Sequence, residues 1–533
     1  MASERGAEGG ESAGLARSAG VVAAGTLVSR VLGAVRDVVI AACFPLVATD
    51  AFFVAFTIPN ALRGLLAEGA VSSAFVPVYS EVRASEGDAP AKRFYASLSG
   101  AMLAILAIVS VLGVLAAPLL VTAYASGYAD DPALFGDTVT LTRIVFPYIF
   151  LMGAAALGTG ALNAHRRFAV PALAPALLNV ALIAAPFALA GTVASMGLPP
   201  IASLALGALA GGALQVVAQW PALARLGLLS PPRFDLADAR VKKALGLLVP
   251  LTIGLGVYQL NVMFSRLLVS YLPEGSQSYL YYGQRLVEIP QGMRALAIAS
   301  AALPTLSDLR NRGAHDELVR VFGYALRSSL FVSVPATVLL VVLAEPTVVT
   351  LFQRGAFDRS AALETARSLA WQGAGVWAIA SVRVIVPLFY AHNDTRTPLV
   401  GGALNLGVFV ALGLGLRGSM GHAGVALAIS AAGAVQMIVL LGLLRRKMGR
   451  LGLAEVARSA LRLGVAAGVM GVVAAGVASL GAWERGGNDV VNVLVWIGAA
   501  LAAALTYAGV LHLLRAPELR ELGDALRRRV RRT

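Results

Sequence analysis

The sequence predicts an all-α integral membrane protein of about fourteen transmembrane helices, with two six-helix lobes followed by two C-terminal helices. Three observations carry this expectation. The chain has 533 residues, is 58% hydrophobic and only 14% charged, and has a mean hydropathy of +0.77; a soluble domain is nearer about 25% charged. Apolar stretches of about 20 residues, the length that crosses a bilayer, recur from end to end. A short pattern also recurs at one fixed offset, which implies a duplicated architecture.

Taken in order, residues 1–17 are polar and partly acidic and lack the basic n-region of a cleaved signal peptide, so they are expected as a disordered cytoplasmic leader. Pro, Gly and charge clusters then cut the apolar sequence into spans near 18–45, 50–82, 94–125, 137–163, 169–192, 197–225, 241–271, 277–307, 317–344, 360–391, 397–416, 421–445, 455–481 and 489–514. The first six form a lobe over 18–226 and the next six a lobe over 227–447. The last two lie in 448–514. Their small-residue stretch at 464–478 suits either close helix packing or a groove for a lipid tail. Residues 515–533 end in RRRVRRT, a basic cytoplasmic tail that also suits anionic lipid.

Net charge is +14 and the pI about 10.3. In a soluble protein such a balance suggests nucleic acid; here the positive-inside rule accounts for most of it, and no nucleic-acid partner is expected. Basic residues cluster in alternate connections: Arg83, Lys92 and Arg93; Arg166 and Arg167; Arg225, Arg233, Arg240, Lys242 and Lys243; Arg310 and Arg312; Arg396; then Arg445, Arg446, Lys447 and Arg450. The intervening connections are poor in Lys and Arg, that with Arg354 and Arg359 being the weakest case. This places both termini in the cytoplasm and requires an even number of spans. Fourteen fits; twelve with two re-entrant segments remains an alternative.

The repeat is short but doubled. Pro77, Ser80, Glu81 and Arg83 match Pro304, Ser307, Asp308 and Arg310, and Ala164, His165 and Pro171 match Ala391, His392 and Pro398, both at an offset of 227 residues. Copies of the same topology imply two lobes related by an axis along the membrane normal.

The stretch 29–77 carries Arg30, Arg36, Asp37, Asp50, Arg63 and Glu68 among apolar runs. A charge at the bilayer centre costs roughly 2.5–3.5 kcal/mol on insertion scales, so it is kept only where it pairs, meets water or meets a ligand. Arg30 and Asp37, seven apart, share a helical face, with Arg36 about 100° round, so Asp37 can pair with one arginine and leave the other free. Arg63 follows Asn60 by one turn. On the eighth span Arg285 precedes Glu288 by three residues and follows Ser278 by two turns. Arg266, Arg294 and Arg383 also sit in or near spans. None of the first-span charges recurs at the offset, so the polar chemistry is not duplicated. A planar guanidinium stays ionised when buried and binds phosphate in bidentate fashion. The cluster Arg30, Arg36, Arg63 and Arg285 therefore suits a pyrophosphate. The alternative is interhelical salt bridges with Asp37, Asp50, Glu68 and Glu288 as counterions.

Other chemistries lack a signature. The single cysteine, Cys43, leaves no internal disulfide, zinc CxxC or iron–sulfur set. There is no GxxxxGK[ST], and the five histidines form no HExxH pair. One GxSxG, Gly10 to Gly14, lies in the polar leader without a strand-to-helix turn. No cofactor, metal or catalytic residue is expected, and a transporter is favoured over an enzyme.

The stretches SRVLGAVRD, ATDAFFVAFTIPNALRGLLAEGAVSSAFVPVYSE, FPYIFLMG, ALNAHRRFAVPALAPALLN, YYGQRLVEIPQG and LFQRGAF resemble the MurJ (MviN) lipid II flippases of bacteria, in the multidrug/oligosaccharidyl-lipid/polysaccharide exporter superfamily. The likeness runs from residue 18 to 447 and is looser over the last two helices. It implies two six-helix lobes in a pseudo-twofold V around a central cavity, two further helices forming a lipid-tail groove, and residence in the bacterial cytoplasmic (inner) membrane. It implies transport of the peptidoglycan precursor lipid II to the outer leaflet by alternating access, with membrane lipids and cell-wall synthesis proteins as candidate partners. Carried across by position, the cavity arginines fall on Arg30, Arg36, Arg63 and Arg285. The other cavity positions fall on Asp37, Asp50, Glu68, Ser278, Glu288 and Arg383. Gly64 and Gln284 depart from the pattern of some relatives, and Asn261 stands where some carry a sodium-binding acid. The alternatives are an exporter of another polyprenyl-linked oligosaccharide and a non-transporting scaffold for cell-wall enzymes.

Overall fold

A computed structural model describes residues 2–64, 69–293, 306 and 308–519. The described residues are helical, with one isolated β-bridge between Arg354 and Phe357. The chain forms two compact units, Met1–Tyr271 and Leu272–Thr533.

The first unit contains α1 (Ala2–Cys43), α2 (Leu46–Arg63), α3 (Gly69–Glu86), α4 (Asp88–Leu115), α5 (Ala117–Ala125), α6 (Pro132–Val145), α7 (Tyr148–Ala164), α8 (Ala169–Ala188), the short α9 (Ala190–Ser195), α10 (Ala202–Arg225) and α11 (Ala239–Val269). Residues 2–17, expected as a disordered leader, instead continue α1. Ala, Glu, Leu and Arg there are good helix formers and no proline interrupts them, which offsets four glycines. α1 lies along α8, and Gly25 makes this possible: a Cβ at that position would meet the Ala172 carbonyl oxygen at 2.6 Å. An aromatic cluster joins α3 to α4, with the Phe75 ring 5.1 Å from Tyr79, 6.1 Å from Phe94 and 5.9 Å from Tyr95. α11 packs on α3, α4 and α5.

The second unit contains α12 (Ser276–Met293), α13 (His315–Val342), α14 (Ala344–Phe352), α15 (Arg359–Gly373), α16 (Val376–Ala391), α17 (Arg396–Met420), α18 (His422–Met448), α19 (Leu453–Ala478) and α20 (Val490–Leu513). α19 lies on α13 and α20. The small-residue stretch is its packing face: Ala466, Ala467, Ala474 and Ala478 are buried, and a Cβ on Gly471 would meet Val338 at 2.7 Å. Tyr507 of α20 donates to the Phe331 carbonyl at 3.0 Å. Leu461, Val465 and Val472 of α19 and Leu494, Leu501 and Leu505 of α20 are exposed, as suits helices bathed in lipid.

Among the described residues, eleven helical segments are long and apolar enough to cross a membrane. α1, α11 and α12 occupy the positions of the remaining three expected spans. The repeat extends well beyond its two sequence motifs. α4 and α13 begin and end at the same offset of 227 residues, as do α5 and α14. Asp131 caps α6 by accepting from the Ala133 and Leu134 amides, and Asp358, its repeat partner, caps α15 by accepting from the Ala361 amide. His165 and His392 face the carbonyls of Ala161 and Leu388 through Nδ1 at 2.9 and 2.8 Å. Each is followed by a left-handed residue, Arg166 (φ 57°) and Asn393 (φ 54°). The Arg167 and Asp394 amides then close the turns onto Leu162 and Phe389, both at 2.9 Å, the bonding that ends helices in a Schellman motif. Of the first motif's second copy, Pro304 and Ser307 lie outside the described residues.

Candidate functional site

In the first unit the charges of α1 do not behave alike. Arg36 and Asp37 are 9% and 4% exposed. Arg36 donates to Asp37 Oδ1 through Nε at 3.0 Å and Nη2 at 2.7 Å. Its Nη1 donates to Asn179 Oδ1 of α8 at 3.0 Å. Asn179 in turn donates through Nδ2 to the Ser29 carbonyl at 2.9 Å. A guanidinium, a carboxylate and an amide thus form one chain of bonds across the α1–α8 seam. In a low-dielectric interior a satisfied network of this kind fixes side-chain geometry. Of the two arginines that Asp37 was expected to choose between, it takes the adjacent one. Seven residues place Arg30 about 10 Å away along the helix axis. Arg30 is exposed and, among the described residues, makes no hydrogen bond or ion pair.

On α2, Arg63 is half-buried and donates through Nε to Asn60 Oδ1 at 3.0 Å, one turn earlier, as the sequence suggests. Asp50 is buried on the same helix, 2% exposed. Glu68 lies outside the described residues.

In the second unit Arg285 of α12 donates to Glu288 Oε2 at 2.9 Å and to the Tyr281 hydroxyl at 3.1 Å, with its guanidinium carbon 4.9 Å from the Tyr281 ring centroid. Both members of the ion pair are more than a third exposed, so solvent screening leaves it weak and exchangeable. Ser278, two turns earlier, is fully buried. Arg383 of α16 is exposed and donates to Gln291 Oε1 of α12 at 3.0 Å.

Two polar features escaped the sequence. Asn179 is one; the other joins α7 to α10, where Gln215 and Gln219 are buried and Thr159 donates to Gln219 Oε1 at 3.5 Å. An unpaired-looking amide on an apolar helix is the signal that marks both, since burial of such a group demands a partner. Outside the spans, in the turn between α16 and α17, a bond from Lys447 at 2.6 Å holds the Asp394 carboxyl down at about 2.

The sequence profile of the family described as Lipid II flippase MurJ matches residues 41–489. The lipid II flippase MurJ of Burkholderia cenocepacia is 37% identical over 435 residues, covering 79% of this chain and 82% of that protein. A probable lipid II flippase MurJ of Bdellovibrio bacteriovorus is 33% identical over 504 residues, 93% and 94% of the two chains. This chain belongs to the MurJ family. The fold agrees: a solved MurJ structure in an inward closed conformation superposes with a TM-score of 0.75 at 24% identity, over 92% of this chain and 98% of the other. An inward-facing multidrug transporter of the MATE family in the MOP superfamily follows at a TM-score of 0.64 and 13% identity, over 80% and 95%. The resemblance read along residues 18–447 and the all-helical membrane fold are therefore both borne out. Membership of the MurJ family also makes this a multi-span transport protein.

Proposed function

We propose that this chain is a lipid II flippase of the bacterial inner membrane, moving the lipid-linked peptidoglycan precursor from the inner to the outer leaflet by alternating access. The observation that supports this most is the match to relatives named for that activity along nearly the whole chain. The alternation of basic connections supports a cytoplasmic location for both termini.

In this reading Arg30, Arg36, Arg63 and Arg285 meet the pyrophosphate. Charge-assisted bidentate bonds suit that group, and a guanidinium remains charged in an apolar setting. Asp37 and Asn179 orient Arg36, and phosphate arrival replaces Asn179 at its Nη1. Asp50, Glu68, Ser278, Glu288 and Arg383 complete the polar lining. The polyprenyl tail stays in lipid against α19 and α20. Each elementary charge moved is worth roughly 2.3 kcal/mol per 100 mV of membrane potential, which supports the potential as the drive.

The test is rescue of a bacterium depleted of its own lipid II flippase. Wild type is expected to restore growth, and Arg63→Ala and Arg285→Ala, present at normal membrane levels, are not. Rescue by both variants would return the arginines to a salt-bridge role. Failure of well-expressed wild type would point to another polyprenyl-linked substrate or a scaffold.

A further inference from the structure

Among the basic connections of the first unit, two converge. The α7–α8 turn and the end of α10 border an open cavity of about 330 Å³, lined by Arg166, Arg167 and Arg225 and by apolar side chains that include Val21 of α1, Phe168 and Ala222. That volume falls in the range of about 300–1,000 Å³ typical of small-ligand sites. No acidic side chain lines it among the described residues. The three guanidinium groups belong to exposed residues. α8 starts at the cavity without a side-chain cap, so the positive end of its dipole adds to the field.

Topology alone explains basic residues on this side of the unit, but not their convergence on a cavity. The repeat supplies the comparison. The same turn in the second unit has Asn393 and Asp394 where the first has Arg166 and Arg167. It closes through the same backbone bonds, and Asp394 accepts from Lys447 and from the Thr397 amide at 2.9 Å. The turn therefore does not need arginine. In one copy the turn carries an acid paired with Lys447; in the other, three arginines line a hollow with apolar walls.

We propose that this cavity binds the phosphate of an anionic membrane lipid in the leaflet it faces. The three guanidinium groups surround the phosphate, and Val21, Phe168 and Ala222 contact the start of the hydrocarbon chain. The mixed lining selects a lipid phosphate over a soluble anion, because the apolar walls gain nothing from the latter. The site lies outside the set assigned to the transported pyrophosphate and does not depend on which lipid is flipped.

The experiment uses full-length protein in a neutral detergent, titrated with phosphatidylglycerol, phosphatidylcholine, undecaprenyl phosphate or inorganic phosphate and read by native mass spectrometry. Wild type is expected to hold one phosphatidylglycerol or undecaprenyl phosphate about tenfold more tightly than phosphatidylcholine; which of the two binds tighter identifies the source of the phosphate. Arg225→Gln alone, and Arg166→Asn with Arg167→Asp, which copies the second unit's turn, are each expected to abolish that preference. Arg225→Gln changes only an exposed helix end, so it reports even where the double variant unfolds. Preference retained in a folded variant overturns the proposal. So does an equal loss in a Lys242→Gln control on the same side of the unit, or competition by inorganic phosphate as strong as by either lipid.

Discussion

Replacing Asn179 by leucine removes the hinge of the α1–α8 network while keeping the side chain's bulk. Two bonds are lost. The first is the acceptor for Arg36 Nη1 at 3.0 Å, a bond to a charged group worth roughly 1.5–3 kcal/mol. The second is the donor to the Ser29 carbonyl at 2.9 Å, an interhelical bond in an apolar setting that averages about 0.6 kcal/mol. Together they predict a loss of about 2–4 kcal/mol in unfolding free energy, measured by steric trapping in bicelles. Ser29→Ala is the contrast. It removes only the 3.4 Å contact between Asn179 Nδ2 and Ser29 Oγ, leaves the carbonyl in place, and is expected to cost less than about 0.5 kcal/mol. A double-mutant cycle of Asn179→Leu with Arg36→Met should return a coupling of about 1.5–3 kcal/mol. Additivity within about 0.5 kcal/mol, the behaviour of independent sites, would refute the network.

Three further outcomes follow from the packing and the charges. Gly25→Val drives a branched side chain into the Ala172 backbone, where even a Cβ comes within 2.6 Å; overpacking of this kind costs about 1–3 kcal/mol and is expected to lower the melting temperature, with the smaller Gly25→Ala intermediate. The Asp394 carboxyl, held at about 2 against an ordinary 3.8 chiefly by Lys447, contributes stability that is complete above pH 4 and is lost as pH falls from there towards 2. Asp394→Asn should therefore flatten that part of the melting-temperature profile and leave the neutral side of the curve parallel to wild type. Glu288→Gln removes a screened ion pair, so it is expected to change the melting temperature little, by less than about 1 kcal/mol of stability, and flipping that rises or holds would support Arg285 as a phosphate ligand rather than a structural cation.

Charge in an apolar run stands out in a sequence, which is why Arg36, Asp37, Arg63 and Arg285 were all legible. Partners one turn away follow from helix geometry, and the Arg63–Asn60 and Arg285–Glu288 contacts are of that kind. Asn179 was harder to read, because an uncharged amide carries none of the charge-burial penalty that singles out an arginine, and its partner lies 143 residues away. Similarly, Arg166, Arg167 and Arg225 read only as topogenic charge, since their convergence depends on how α7, α8 and α10 pack. The duplication was visible in two motifs, but the shared helix bounds and paired Asp131 and Asp358 caps carry no common residue run long enough to notice. The helix over residues 2–17 was not legible, because Gly6, Gly9, Gly10 and Gly14 weaken its propensity and its alanines and the adjoining apolar helix carry the continuation.

The most direct test of lipid II flipping is reconstitution. Purified protein in liposomes carrying headgroup-labelled lipid II on one leaflet, with a membrane-impermeant enzyme that modifies exposed headgroups, reads translocation as label becoming accessible. The account predicts transport by wild type, acceleration when a membrane potential is imposed, and its loss in folded Arg63→Ala and Arg285→Ala proteins. Lipid II that stays on its leaflet with the wild-type protein folded and present, or that crosses equally with both arginines removed, would contradict it.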